Sequence, residues 1–239
     1  MLKNQTALIT GAGSGIGRAL AIGLAREGAR LCLVGRRLEA LENVALDCRD
    51  TAVGVTCYKA DLTVDDALQN LARRLHEDCG QLEILIHSAG VVALGLIEQA
   101  SVSDFDWQYK TNVRAPYALT KLILPMLKSG MGQVVFINSS AGLTARAKTG
   151  QYAATKHALK AIADSLRDEV NDRGIRVMSV YPGRTASPFQ KTVHSVEDKP
   201  YRPERLLQPE DVAGVLINAL KLPWTAEVTD ISIRPFMKS

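Results

Sequence analysis

Aromatic side chains are scarce, at 5% of the 239 residues, and neither sign of charge dominates. The 29 Lys and Arg against 25 Asp and Glu leave a net charge of +4. A nucleic-acid surface needs clustered cations with interleaved aromatics. Here both signs alternate along the chain, so no nucleic-acid partner is expected. Cysteines are few, Cys32, Cys48, Cys57 and Cys79, and no C-x-x-C pair occurs. That excludes a zinc ribbon or a thioredoxin-type site, and no metal is expected. No apolar run approaches the ~18 residues of a membrane span, and residues 1–5 are too polar for a secretory signal. The expectation is a cytoplasmic protein without membrane association. Its thiols are expected reduced, each a small buried hydrophobe.

What is present fits a globular chain. Hydrophobic residues make up 46% and charged residues 23%, near globular averages, so disorder is excluded. Length favours a single domain over 1–239 that needs no covalent staple. Short β-rich runs at 6–10, 30–34, 53–58, 82–87, 133–138, 176–181 and 228–234 alternate with helix-periodic stretches. One such stretch is 62–79, with Leu68, Leu71, Ala72 and Leu75 on one face. This alternation predicts an α/β fold. It is a single-domain, Rossmann-type doubly wound sheet of about seven parallel strands with helices on both faces. The stretch 183–208 breaks the pattern, holding Pro188, Pro200 and Pro203 and no sustained apolar stripe. It is expected to be a substrate-binding lid loop over 184–208. A helix is predicted after it, opening at Pro209 with Glu210 and Asp211 at the dipole's positive end.

The first strand runs into Gly11-Ala12-Gly13-Ser14-Gly15-Ile16-Gly17 and then a helix. Glycines allow phosphate to approach main-chain N–H groups, and the helix N-terminus adds partial positive charge. A dinucleotide is therefore expected on Gly11, Gly13, Ser14, Gly15, Ile16 and Gly17. The G-x-G-x-G reading also admits an adenosylmethionine site. The second strand decides between them. An NAD site or a methyltransferase places an acid at its end, whereas this chain has Gly35-Arg36-Arg37. A guanidinium fork suits a 2′-phosphate, so the cofactor is expected to be NADP(H), held there by Arg36 and Arg37.

Tyr152 and Lys156 lie four apart at the start of an Ala-rich helix, hence on one face. A nearby cation favours phenolate, so the pair can serve as an acid/base unit. Thirteen residues upstream of Tyr152, Ser139 leaves the C-terminal end of a strand, where ligands of open α/β sheets sit.

These motifs, in this order, resemble those of the short-chain dehydrogenase/reductase family over nearly the whole chain. The matches are Thr10-Gly-x-x-x-Gly15-x-Gly17, Asp61-Leu62, Ser88-Ala89-Gly90, Asn112 in Thr111-Asn112-Val113, Ser139-x-x-Gly142, Tyr152-x-x-x-Lys156 and Pro182-Gly183. The resemblance implies an NADP(H)-dependent oxidoreductase acting on a small carbonyl or alcohol substrate. It implies Tyr152 as general acid/base. Lys156 would bind the nicotinamide ribose and lower the tyrosine pKa. Ser139 would orient the substrate oxygen, and Asn112 would hold a water in a proton relay. Asp61 and Leu62 would meet the adenine, and Ser88, Ala89 and Gly90 the ribose region. Pro182 and Gly183 would border the nicotinamide, with Thr185 and Ser187 near its amide or the diphosphate.

Two positions depart from the family. His87-Ser88-Ala89-Gly90 replaces Asn-Asn-Ala-Gly, and the C-terminus reads as an edge strand rather than a Gly-Gly turn. His87 is read as a hydrogen-bonded strand-end residue. Phe189, Leu143 and Val193 are expected to wall the substrate site. The alanines after Tyr152, with a second long helix over 112–127, predict a homodimer or homotetramer. The rival reading is a non-catalytic NADP(H)-sensing protein on the same fold, which the presence of both Tyr152 and Lys156 disfavours.

Overall fold

The apolar runs become the strands of one sheet. The computed structural model describes residues 2–128 and 130–237. The strands are β1 (Thr6–Thr10), β2 (Arg30–Gly35), β3 (Gly54–Lys59), β4 (Ile84–His87), β5 (Gln133–Ile137), β6 (Arg176–Pro182) and β7 (Asp230–Ile233). All neighbours pair in parallel. Their order is β3-β2-β1-β4-β5-β6-β7, the doubly wound sheet that the alternation predicts. Strand ends differ slightly from expectation. Leu82 makes only an isolated bridge to Leu127, so β4 begins later.

Period-two alternation divides the strand residues between two layers. Ala7, Ile9, Leu31 and Leu33 face α1 (Gly15–Arg26), α2 (Leu38–Cys48) and α8 (Pro209–Leu220). Leu8, Cys32, Val34, Val134 and Phe136 face α3 (Asp65–Cys79), α5 (Ala115–Ile123) and α6 (Gly150–Val170). Each fully buried Leu or Ile contributes ~1.5–3 kcal/mol relative to exposure. The box in which Gln208 and Asp211 cap each other opens α8 where the Pro-Glu-Asp signal placed a helix start.

Two elements differ from the sequence reading. The expected long helix over 112–127 is broken. After α4 (Val102–Tyr109) come a π turn (Lys110–Arg114), α5 and a short 3₁₀ turn (Leu124–Met126). Pro116 has no N–H for the Asn112 carbonyl, so the ladder slips and Ala115 N–H reaches the Lys110 carbonyl instead. The expected lid loop over 184–208 holds a helix, α7 (Pro188–Val196), and a 3₁₀ turn (Pro203–Arg205). The Ser187 hydroxyl caps α7 by accepting from the Gln190 N–H. Its buried face is Gln190, Val193 and His194, too polar to register as an apolar stripe. Among the described residues no helix is long and apolar enough to cross a membrane.

Candidate active site

The strand order reverses between β1 and β4, and a cavity of about 840 Å³ opens at the carboxyl ends of the strands there. Gly11, Gly13, Ser14, Gly15 and Ile16 line one end of it. Gly11 has φ +65°, and a Cβ on it would stand 2.8 Å from the Ala89 Cα. A Cβ on Gly17 would collide with the Gly11 carbonyl. Gly17 is therefore a buried packing residue and does not line the cavity as expected of a cofactor contact. Ser14 is the N-cap of α1 but makes no side-chain cap bond. The first-turn N–H groups of α1 are left for an anion. Thr10 accepts from the N–H groups of Ser88 and Ala89 at 3.1 and 3.2 Å, holding the β4 loop against the glycine turn.

Gly35, Arg36 and Arg37 line the cavity where β2 ends, opposite Asp61 and Leu62. Asp61 accepts from the Thr63 hydroxyl at 2.7 Å and the Thr63 N–H at 2.9 Å. These bonds, with a smaller contribution from Arg36, hold its carboxyl below the usual range. Ser88, Ala89, Gly90, Pro182, Gly183, Thr185 and Ser187 complete the walls.

Ser139, Tyr152 and Lys156 meet at the other end. Asn138 ties the end of β5 to α6: its amide donates to the Lys156 carbonyl at 3.1 Å and accepts from the Ser139 N–H at 2.9 Å. The Ser139 hydroxyl accepts from the Ala141 N–H at 3.2 Å and shares the cavity wall with Tyr152. Lys156 Nζ donates to the Ile137 carbonyl at 3.2 Å and lies 5.8 Å from the Tyr152 ring centre. A Cβ built on Gly90 would be 3.8 Å from that ammonium.

The electrostatics correct one expectation. The Tyr152 ring is half-buried, since it faces the cavity. Loss of water around its hydroxyl pushes it up to about 12, and the nearby Ser139 hydroxyl opposes this only in part. Burial pulls Lys156 down to about 8. The Lys156 hydrogen bond goes to the main chain and not to the phenol, so burial dominates at the tyrosine.

Asn112 also departs from expectation. Its side chain accepts from the Val91 N–H at 2.8 Å and donates to the Val91 carbonyl at 2.9 Å and to Thr155 at 3.2 Å. It braces the wall from behind and does not line the cavity. His87 stacks on Phe136 and bonds Thr120 at 2.8 Å. Burial pulls it down to about 3, so it is neutral. Val92, Leu94, Trp107, Phe189 and Val193 make the apolar wall, whereas Leu143 stays half-exposed outside it.

The sequence profile of the family described as short chain dehydrogenase matches residues 5–198. The chain belongs to that family. It is an oxidoreductase family, and this member is similar to several characterised and uncharacterised proteins. An uncharacterized oxidoreductase of Staphylococcus aureus is 31% identical over 98% of this chain and 99% of its own. The glycine betaine reductase of Emericella nidulans is 34% identical over 98% of this chain, which spans only 19% of that protein. An alcohol dehydrogenase from the archaeon Thermococcus sibiricus, complexed with 5-hydroxy-NADP, superposes with a TM-score of 0.90. It shares 26% identity over 99% of both chains. A short chain dehydrogenase from Shigella flexneri complexed with NADP gives 0.89 at 29% identity, over 97% of this chain and 98% of its own.

Sequence reasoning missed several residues that shape the site in this short-chain dehydrogenase family member. Gln108 is fully buried, accepts from the Ala93 N–H at 3.0 Å and donates to Gln151 at 3.0 Å. It joins the cavity wall to the start of the Tyr152 helix. Arg184 pairs with Glu197 at 2.7 Å across the base of α7. Neither belongs to a local motif, so no spacing signal marked them.

Proposed function

We propose that the protein is an NADP(H)-dependent carbonyl reductase or alcohol dehydrogenase. The observation that carries this reading is one cavity with Ser139, Tyr152 and Lys156 at one end. A glycine cradle and Arg36 form the other, with no acid at the end of β2. The cradle fits a dinucleotide, since a Cβ would fill it at Gly11. Related structures bound to NADP support the choice of cofactor. Ser14, Gly15 and Ile16 would hold the diphosphate, Arg36 and Arg37 the 2′-phosphate, and Asp61 and Leu62 the adenine side. Ser88, Ala89 and Gly90 would bound the ribose region. Lys156 would bind the nicotinamide ribose, and Pro182, Gly183 and Thr185 would border the nicotinamide.

Bound NADPH supplies the hydride that reduces the carbonyl carbon. Ser139 orients the carbonyl oxygen, and Tyr152, a phenol at neutral pH, gives it a proton. Lys156, charged on the same wall, offsets the phenolate left behind. The Asn112 side chain is committed to Val91 and Thr155, so residue 112 enters the relay through its main-chain carbonyl, which Pro116 cannot serve. The segment 184–208 with α7 lies over the cavity as a substrate lid. Ala154, Ala158 and Ala161 share the accessible side of α6 and support a homodimer or homotetramer through that helix. Cytoplasmic residence fits the free thiols. The test is a panel of carbonyls with NADPH and NADH, followed at the nicotinamide absorbance. Turnover with NADPH is expected; tight NADPH binding with no turnover of any compound would favour a sensing protein.

A further inference from the structure

Two cysteines far apart in sequence meet in the layer beneath the sheet. Cys32 lies inside β2 and is fully enclosed, while Cys79 ends α3 and is half-buried. Their sulfurs are 3.4 Å apart. Neither lines the cofactor cavity. We propose that Cys32 and Cys79 form a dithiol site that a small hydroperoxide oxidises to an intramolecular disulfide, with Cys79 attacked first and Cys32 resolving.

The geometry divides the roles. Only Cys79 has access to solvent, so only it can meet a peroxide. A disulfide bond is ~2.05 Å, so the sulfurs need to close by about 1.4 Å. The chain can yield there, because α3 stops at Cys79 and Gly80 follows with open space around its Cα. Titratable neighbours favour the same division. The contact with Cys32 is the largest influence holding the Cys79 thiol below its ordinary value, against burial and Asp78, and the Arg30 guanidinium adds to it. Cys32 is pushed far up by that contact and by burial, which suits it to be the second of the two to react. The Tyr58 hydroxyl donates to Asp78 at 2.7 Å, and Arg74 stacks over the Tyr58 ring. Burial instead pushes Cys48 up to about 11 and also raises Cys57, which leaves both slow to react.

The chemistry balances. The Cys79 thiolate attacks the terminal oxygen of the hydroperoxide and the O–O bond breaks. The alkoxide leaves and takes the proton that Cys79 gave up, and the sulfur becomes a sulfenic acid. The Cys32 sulfur then attacks Cys79 Sγ, the S–O bond breaks, and hydroxide leaves with the Cys32 proton as water. Two thiols and one hydroperoxide give one disulfide, one alcohol and one water. The ring so closed carries Arg36 and Asp61, so oxidation ties down the adenosine end of the cavity.

The test treats the purified full chain with stoichiometric hydrogen peroxide or cumene hydroperoxide, counts thiols and maps peptides without reductant. Loss of two of the four thiols is expected, with one peptide pair joining Cys32 to Cys79 and full reversal by dithiothreitol. C79S should block the loss. C32S should leave Cys79 as a sulfenic acid that dimedone captures. A C48S/C57S chain should still form the link. The linked wild type should melt at higher temperature than the reduced form, because the crosslink restricts the unfolded chain. Prior loss of the Cys48 or Cys57 thiol would overturn the proposal. So would over-oxidation of Cys79 without a link, links between chains only, or an unchanged or lower melting temperature. The wild-type map decides even if a variant fails to fold.

Discussion

The Lys156 ammonium lies 5.8 Å from the centre of the Tyr152 ring and gives its hydrogen bond to the Ile137 carbonyl, not to the phenol. The helix has placed the pair side by side, but burial acts on each separately. The tyrosine is held as phenol at about 12 and the ammonium is weakened to about 8. The resting site thus stores a proton donor for reduction and a cation that the fold bears at a cost.

That cost has a sign. Between pH 8 and 10.5 the folded chain has released the Lys156 proton while the unfolded chain still holds it, so stability rises with pH across this window. At neutral pH the buried ammonium costs ~3 kcal/mol, at about 1.4 kcal/mol per pH unit. Lys156→Met should therefore stabilise the cofactor-free protein at pH 7 by ~1–2 kcal/mol, the rest being lost to an unserved Ile137 carbonyl. The gain should shrink toward pH 10.5, and activity should fall by ~10²-fold or more. Thermal melts at the two pH values read this, and a lower melting temperature for the variant at pH 7 would count against it.

The phenol predicts a directional pH dependence. Alcohol oxidation needs the phenolate, so its rate should climb with pH through at least pH 9. Carbonyl reduction should not be limited by Tyr152 at neutral pH. Rates in both directions across pH 6–9 check this. Oxidation flat across that range would show a tyrosine already ionised.

Arg36 should set the cofactor preference. The paired change Gly35→Asp and Arg36→Ala removes the guanidinium and adds an acid for the ribose hydroxyls. A Cβ at Gly35 would meet the Leu41 side chain at 3.2 Å, so that side chain must give by a few tenths of an ångström. The ratio of kcat/KM for NADPH over NADH should fall by ~10²-fold, as expected for one charge-assisted pair lost. An unchanged ratio would remove Arg36 from the 2′-phosphate site.

His87 makes stability sensitive to acid. Its folded value near 3 lies below the ordinary 6.5. The unfolded chain takes up a proton first as pH falls, and stability present above pH 6.5 is lost on the way to pH 3. Up to ~5 kcal/mol rides on this one ring, at about 1.4 kcal/mol per pH unit. His87→Gln should flatten the fall in melting temperature between pH 6.5 and 4 while activity at pH 7 stays within ~3-fold. An unaltered slope would mean that other groups govern acid unfolding.

Local pattern made most of the fold legible. Short β-rich runs marked the seven strands, and Leu68, Leu71 and Leu75 marked α3, because these signals lie in near neighbours along the chain. The glycine turn and the Tyr152–Lys156 step were legible for the same reason, since their chemistry depends on near neighbours. What escaped depends on contacts distant in sequence. The buried face of α7 carries Gln190 and His194, which no apolar stripe reveals. The bond of Asn112 to Val91, the burial that separates Lys156 from Tyr152 in charge, and the Cys32–Cys79 contact all require the sheet register to be known first.

The most direct measurement compares Tyr152→Phe with wild type, reading NADPH binding by fluorescence and carbonyl reduction by absorbance. Ser139 and Lys156 remain in this variant, so only the proton donor is lost. NADPH affinity within ~3-fold of wild type and a kcat reduced by ~10²-fold or more are expected. Retention of most of kcat would contradict Tyr152 as the acid of this site.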